Sequence, residues 1–338
     1  NDLNMWLGTS GYIYMEPDYL GLGVSQINHP YQLKDPTATV MIDMVYATRQ
    51  FCNQINGLQF NDQLYIAGYS EGGYAALAAV KEIEENHSDL NITMSFPMAG
   101  AYDMSGTMVD LMLSRERYTN PYYLPYVILS YMERYDLGTV QDFFKPEYAE
   151  ILPELFNGDY SGGYINSFMP DIPIYILRAD IIHEFRNNLN FPFRLTLAEN
   201  DLLDWIPRSK LYLFHGIADE QIPFENSVVA YNRFIENGAD PNLVSLELLN
   251  EFYGGHNGAA PYCLLGAFIL SEQEKQYYNK GDINLDNELN MLDVMELKYI
   301  IKHNISVDGL DLWFSDINND GLVNMFDIYE FTGKILQN

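Results

Sequence analysis

The sequence predicts an α/β fold: a parallel sheet covered by helices, interrupted by a helical insertion and followed by a small all-helical module. Three observations carry this prediction. Apolar runs of strand length alternate with helical patterns on both sides of a glycine-rich turn at 68–73, the segment from 101 to 207 loses that alternation, and two acidic loops of matching pattern stand near the C-terminus. The 338 residues are 48% hydrophobic, enough for a large core with an appended module and too apolar for a disordered chain. Against 47 acidic residues stand only 18 basic ones, and the net charge of -29 argues against nucleic acid or an anionic membrane as the main partner. No apolar run approaches the roughly 20 residues that span a bilayer. No charged-then-apolar leader is present, although a chain that opens at Asn1 says little about targeting. Cys52 and Cys263 are too few for a disulfide framework and are expected as buried thiols.

Taken in order, Gly11–Glu16 reads as a strand that runs into the glycine-containing loop Pro17–Gly23. Val40, Met41, Met44, Val45 and Phe51 recur at helical spacing within Pro36–Ile55. A buried strand from Leu64 to Ala67 and an alanine-rich helix from Tyr74 to Val80 flank the turn. Ile92–Ala99, Leu211–His215 and Val244–Leu249 supply three more strands, and Ala259 to about Leu270 a closing helix. The insertion, about 104–207, is rich in tyrosine and methionine. Its stretch Tyr118–Tyr135 either forms the insertion's own core or lines a pocket. Gly158–Gly163 echoes the earlier turn without its spacing or a following helix, so Ser161 is read as loop.

The turn Gly68-Tyr69-Ser70-Glu71-Gly72 has the G-x-S-x-G pattern between strand and helix, with glycines placed where a Cβ would collide. Such a turn exposes Ser70 Oγ as a nucleophile. A serine hydroxyl needs a histidine base, and the histidine a carboxylate that fixes its tautomer. Asp219, directly beyond the strand ending at His215, is the preferred acid over its rivals Glu220 and Asp204. His256, in a glycine-rich loop before the closing helix, is the preferred base. His215 reads as a structural histidine, His29 as a residue that could line the site, and His303 lies in the C-terminal module.

Together with Pro17–Gly23, His29-Pro30-Tyr31, Ala99–Thr107 and His215-Gly216-x-x-Asp219, the turn resembles the secreted lipase and esterase group of the α/β-hydrolase superfamily over residues 1 to about 275. The resemblance implies ester hydrolysis through an acyl-enzyme, with Ser70 attacking, His256 shuttling the proton and Asp219 orienting it. Glu71 N–H, just after the nucleophile, is the expected oxyanion donor. In that group a second donor comes from a loop ahead of the segment matching Gly11–Glu16, where this chain has ten residues. The expectation is an N-terminally truncated body lacking its first strands, poorly active or poorly stable beside an extended version.

From 281 an internal repeat appears. Asp282, Asn284, Asp286, Glu288, Asn290 and Asp293 align with Asp316, Asn318, Asp320, Leu322, Asn324 and Asp327. Oxygen side chains at loop positions 1, 3, 5, 9 and 12, with the backbone carbonyl of Glu288 or Leu322 at position 7, form a calcium donor set, so two calcium ions are expected. Asn287 stands where the second loop has Gly321, and asparagine tolerates the left-handed backbone a tight turn requires. Helices are expected over Val294–Lys302 and Ile328–Leu336. The pair resembles a dockerin over 281–338, which implies docking to a cohesin domain of an extracellular scaffold. Where dockerins often carry hydroxyl residues, positions 10 and 11 are Met291-Leu292 and Met325-Phe326, so an apolar surface for another receptor is the alternative.

The sequence thus predicts a secreted, extracellular serine esterase or lipase, domain 1–278, carrying a calcium-loaded anchoring domain, 281–338. The alternatives are a carbohydrate esterase releasing acetyl or feruloyl groups from plant polysaccharide, and an inactive hydrolase body that serves as a binding protein.

Overall fold

The computed structural model describes residues 10–52, 54, 55, 61–276 and 279–336. By internal contacts the chain divides into two compact units, Asn1–Met44 with Leu64–Glu272, and Val45–Gln63 with Gln273–Asn338. The sequence reading cuts the chain once, between 278 and 281, and assigns 45–63 to the first domain; residues 277 and 278 at that cut lie outside the described residues.

Four strands form the first unit's parallel sheet, in the order β1 (Leu64–Tyr69), β2 (Ile92–Met98), β3 (Lys210–Gly216) and β4 (Val244–Leu249). Parallel neighbours require long crossovers. Helix α1 (Lys34–Cys52) precedes the sheet, α2 (Glu71–Asn86) joins β1 to β2, and the insertion, which includes α3 (Tyr123–Tyr135), joins β2 to β3. The last crossover is α4 (Glu225–Glu236), and α5 (His256–Glu274) closes the unit. Register aligns the carboxyl ends: Tyr69 stands opposite Met98, and Met98 opposite Phe214. The residues that follow continue the ladder, with Ser70 N–H donating to Met98 O at 2.9 Å and Ala99 N–H to Phe214 O at 2.8 Å. One rim therefore gathers the loops after β1, β2 and β3, the place where open α/β sheets hold their ligands.

Packing follows the two periodicities. Met94, Phe96 and Met98, every second residue of β2, meet Ala259, Cys263 and Ala267, every fourth residue of α5. The whole run Gly73–Val80 of α2 is buried, as befits a helix covered on all sides. Cys52 and Cys263 are both free and buried.

Two local expectations change. Tyr12–Glu16 is not a strand: among the described residues no strand pairs with it, and a strand exists only through the partner that answers its N–H and C=O groups. Tyr12 instead sets its ring edge against Tyr65 on β1, centroids 5.7 Å apart. Ser161 is not mere loop, since it caps the short helix Gly162–Asn166 by accepting from Tyr164 N–H at 3.3 Å. Between β2 and β3 the described residues hold helices and one isolated bridge, Phe144 with Leu177, and no sheet strand.

In the second unit the helices are α6 (Met291–Lys302), α7 (Gly309–Ser315) and α8 (Met325–Ile335), and Val294 and Leu297 of α6 form a core with Ile317 and with Phe331 of α8. α6 and α8 begin alike: Asn290 and Asn324 cap them in capping boxes closed by Asp293 and Asp327. The residue at loop position 12 thus also starts the helix. The repeat did not disclose α7, which lies between its two copies.

Candidate active site

β1 runs into Ser70, whose φ of 61° and ψ of -121° lie outside the regions open to ordinary side chains. Strain of this kind amounts to about 1–3 kcal/mol and persists only where the surroundings enforce it. Here Ser70 O accepts from Gly73 N–H at 2.9 Å and Tyr74 N–H at 3.1 Å, locking the turn into α2. A Cβ on Gly68 would stand 2.0 Å from Gly72 O, and one on Gly73 2.1 Å from Met98 O. A Cβ on Gly72 would meet nothing closer than Tyr19 Oη at 4.0 Å, so the steric demand expected at 72 falls on 73.

Ser70, His256 and Asp219 come together across 186 residues of chain. Ser70 Oγ lies 2.9 Å from His256 Nε2, and His256 Nδ1 lies 2.6 Å from Asp219 Oδ2. With Nδ1–H donated to the carboxylate, Nε2 presents its lone pair to the hydroxyl. The Asp219 side chain is wholly buried, and its Oδ1 accepts from Gln221 N–H and Ile222 N–H, each at 2.9 Å. Burial alone would raise this carboxyl, but the hydrogen bonds from His215 and His256, with the His256 charge, hold it well below the usual carboxylate range. His215 Nε2 lies 3.3 Å from Asp219 Oδ2 and 3.0 Å from Ile222 O, while Ser227 Oγ stands 2.8 Å from its Nδ1.

The rejected acids have other partners. Glu220 Oε2 accepts from His256 N–H at 2.9 Å, and Asp204 forms an exposed pair with Arg233 at 2.9 Å. Tyr69 Oη donates to His256 O at 2.5 Å, so His256 is held by ring and backbone alike. Neither Glu220 nor Tyr69 was foreseen in this supporting role, because each contact joins residues far apart in sequence.

Glu71 opens α2, so its N–H has no acceptor within the helix and sits beside Ser70. Its carboxylate accepts from His29 Nε2 at 2.5 Å, and His29 Nδ1 faces Leu20 O at 2.7 Å. Both ring nitrogens thus face acceptors. Burial opposes a charge on His29, yet the Glu71 hydrogen bond and charge, with Leu20 O, raise it above the usual histidine value. The ring stacks on Tyr19, centroids 5.8 Å apart.

Ser70 stands in the wall of a small cavity of about 60 Å³. Apolar side chains of the insertion dominate its lining: Met104, Met108, Leu111, Met112, Leu124 and Val127. The tyrosine-rich stretch does both things expected of it, since Tyr118 and Tyr123 line the cavity while Ile128 and Tyr131 are fully buried.

In the second unit Asp282, Asp293, Asp316 and Asp327 are buried. Their hydrogen bonds come from backbone N–H groups: Asp286 and Asn287 for Asp282, Ile283 and Asn290 for Asp293, Asp320 and Gly321 for Asp316, Asn318 and Asn324 for Asp327. Asn284 and Asn318 donate to Asp286 and Asp320 at 2.9 and 3.1 Å, so positions 3 and 5 are adjacent in both loops. Negative charge gathered this way fits a hard cation, which takes carboxylate, amide and carbonyl oxygens together. Among the described residues no three His, Cys, Asp or Glu side chains cluster as a metal site by themselves, so Asn284, Asn290, Asn318, Asn324 and the carbonyls of Glu288 and Leu322 would complete each set. Asn287 has φ 66° and Gly321 φ 82°, the same left-handed turn in both loops. Leu285 and Asn319 are left-handed too, at 59° and 61°, a demand that the leucine concealed.

A family model for the dockerin type I domain matches residues 280–336. Of the solved structures, the rice cell wall degrading esterase LipA from Xanthomonas oryzae superposes with a TM-score of 0.67 at 26% identity, over 76% of this chain and 69% of that one. A Legionella pneumophila protein provisionally described as a hydrolase gives 0.74 at 24% identity, over 82% and 76%. Lipase A of Candida antarctica gives 0.53 at 13% identity, over 74% and 57%; these last two speak to fold alone. No curated protein sequence matches the chain. The chain therefore joins a body with the α/β-hydrolase fold of esterases and lipases to a C-terminal dockerin type I domain.

Proposed function

We propose that residues 1–278 form a serine carboxylic ester hydrolase and that 281–338 anchor it, loaded with two calcium ions, to a cohesin-type domain of an extracellular scaffold. The hydrogen-bonded line Ser70–His256–Asp219 carries the reading. Ser70 Oγ attacks the ester carbonyl as its proton passes to His256 Nε2, and Asp219 stabilises the imidazolium. Glu71 N–H, at the positive end of α2, donates to the developing oxyanion. The C–O bond to the alcohol breaks, the leaving oxygen takes the proton from His256, and Ser70 holds the acyl group. Water then gives a proton to His256 and attacks the acyl carbon, releasing the acid and restoring Ser70.

A cell-wall ester is the favoured substrate class, because LipA, a structural neighbour at 26% identity, is described as a cell wall degrading esterase, and a dockerin module suggests delivery to such a substrate. Acetyl or feruloyl groups on plant polysaccharide are the matching acyl classes. Labelling with a fluorophosphonate tests the chemistry: a mass adduct on the Ser70 peptide, lost in His256→Ala, is expected, and an unlabelled folded protein would refute it. Capture on immobilised cohesins with calcium, abolished by a chelator, tests the anchoring; failure across a cohesin panel would favour another receptor.

A further inference from the structure

His29 is a buried ring that the hydrolytic mechanism leaves unused, and it is bonded to the residue that follows the nucleophile. Its Nε2 lies 2.5 Å from Glu71 Oε1 and its Nδ1 2.7 Å from Leu20 O, with the side chain 3% exposed. A neutral imidazole has one N–H and would turn its other lone pair against an oxygen, so only the imidazolium donates to both. Glu71 makes that charge matter. It is the first residue of α2, and its N–H is the oxyanion donor of the proposed reaction. A carboxylate in this first turn offsets the positive end of the helix and repels the negative charge that develops on the ester oxygen beside Ser70.

The ring also faces three phenols: Tyr19 and Tyr31 of its own loop, at 5.8 and 6.1 Å between centroids, and Tyr126 of α3 at 6.1 Å. Burial and then the Glu71 charge push all three up, Tyr19 to about 12, so they stay neutral where a histidine titrates. Of the neighbouring carboxylates, Glu16 acts on Tyr19, and Glu133 of α3 accepts from Asn28 Nδ2 at 2.8 Å. We infer that His29 is a positioning residue of the oxyanion site: as an imidazolium it cancels the Glu71 charge and holds that carboxylate to itself, so that Glu71 N–H meets the oxyanion without an opposing charge. The inference rests on the esterase reading and adds a second titrating histidine to it. His29 is raised above the ordinary histidine value, so the imidazolium persists through neutrality and is lost as pH rises through the folded value. Catalysis should therefore decline on the alkaline side, whereas protonation of the base, His256, acts in the opposite direction.

The test is the pH profile of kcat/KM on a p-nitrophenyl ester from about pH 7 to about pH 10, between the ordinary histidine and phenol values. The rate of Ser70→Ala is subtracted, and circular dichroism follows the fold at each pH. The wild type is expected to lose roughly fivefold along this limb, the size of one partly screened charge. Glu71→Gln removes the charge to be cancelled, so its profile should flatten to within about twofold. His29→Gln strands the carboxylate and should lie roughly fivefold below the wild type at neutral pH, and adding Glu71→Gln to it should recover most of that loss. A flat wild-type profile would overturn the inference, as would a limb that persists in Glu71→Gln. So would a double variant no faster than His29→Gln, the outcome for a ring that only braces its loop. Each profile compares rates within one preparation, so the Glu71→Gln result decides even where His29→Gln folds poorly. Failure of the esterase reading looks different: no Ser70-dependent hydrolysis at any pH.

Discussion

Asp219 and Asp293 are both buried carboxylates, and they are satisfied in different ways. Asp219 faces the imidazoles of His256 and His215 together with two backbone N–H groups. Asp293 has backbone N–H groups as its hydrogen-bond partners, and Asp282 of the same loop is buried as well. A buried charge is tolerated when an opposite charge or a metal answers it. The hydrolase body supplies its own answer, whereas under the proposed function the repeated loops leave theirs to a calcium ion. On the proposed function, the Ser70–His256–Asp219 line is held by hydrogen bonds within the chain, and the anchoring unit is expected to depend on calcium in its medium.

The largest effect should come from the body's own pairing. Asp219→Asn keeps the shape but lets the wrong tautomer of His256 form, and turnover should drop about 10⁴-fold with the fold intact. Steady-state hydrolysis beside circular dichroism checks this, and a loss under tenfold would make the pairing incidental. Chelation is expected to act on the other region: EDTA should melt the helices at 291–302 and 325–335 while ester hydrolysis changes less than twofold. Calcium should restore the helicity, because folding and ion binding are one event in such modules. Helicity indifferent to EDTA would remove the contrast.

A finer effect separates the two loops. Gly321→Ala places a Cβ at φ 82° and should weaken the second loop by about 1–2 kcal/mol. Asn287→Gly should strengthen the first by less than about 1 kcal/mol, since asparagine already tolerates φ 66°. Calcium titration calorimetry resolves the pair, and equal effects at both positions would contradict the account. The smallest effect is expected at His29. Its value is raised in the folded state, so its pairing with Glu71 contributes fully below the ordinary histidine value of 6.5 and is lost as pH rises through the higher folded value. The stability difference between the wild type and His29→Phe should be on the order of 1 kcal/mol at the acid side and should shrink toward alkaline pH. Denaturation at several pH values measures it, and a difference growing with pH would reverse the assignment.

Much of this was legible in the sequence where local pattern and chemistry coincide. The four sheet strands announce themselves as apolar runs, and the strand-turn-helix context singles out Ser70, while chain order narrows the acid and base to Asp219 and His256. The acidic loops are legible because the repeat sets two copies side by side. What stays hidden depends on distant partners. Gly11–Glu16 has strand composition, yet composition cannot say whether a neighbouring edge is free to pair. Glu220 and Tyr69 carry no motif, and their contacts with His256 arise only when loops separated by many residues converge on the carboxyl ends of the strands. Gly73 rather than Gly72 bears the steric demand because Met98 O, on another strand, comes within reach. The left-handed turn at Leu285 is hidden for a different reason, since leucine signals the opposite preference.

The central claim is that the chain carries its own assembled nucleophile. Hydrolysis of a p-nitrophenyl ester series, short to long acyl chains, by the wild type and by Ser70→Ala with calcium present tests it most directly. The account predicts turnover by the wild type and a loss of at least about 10³-fold in the variant. Equal rates in the two proteins, or none in either while both are folded, would contradict it.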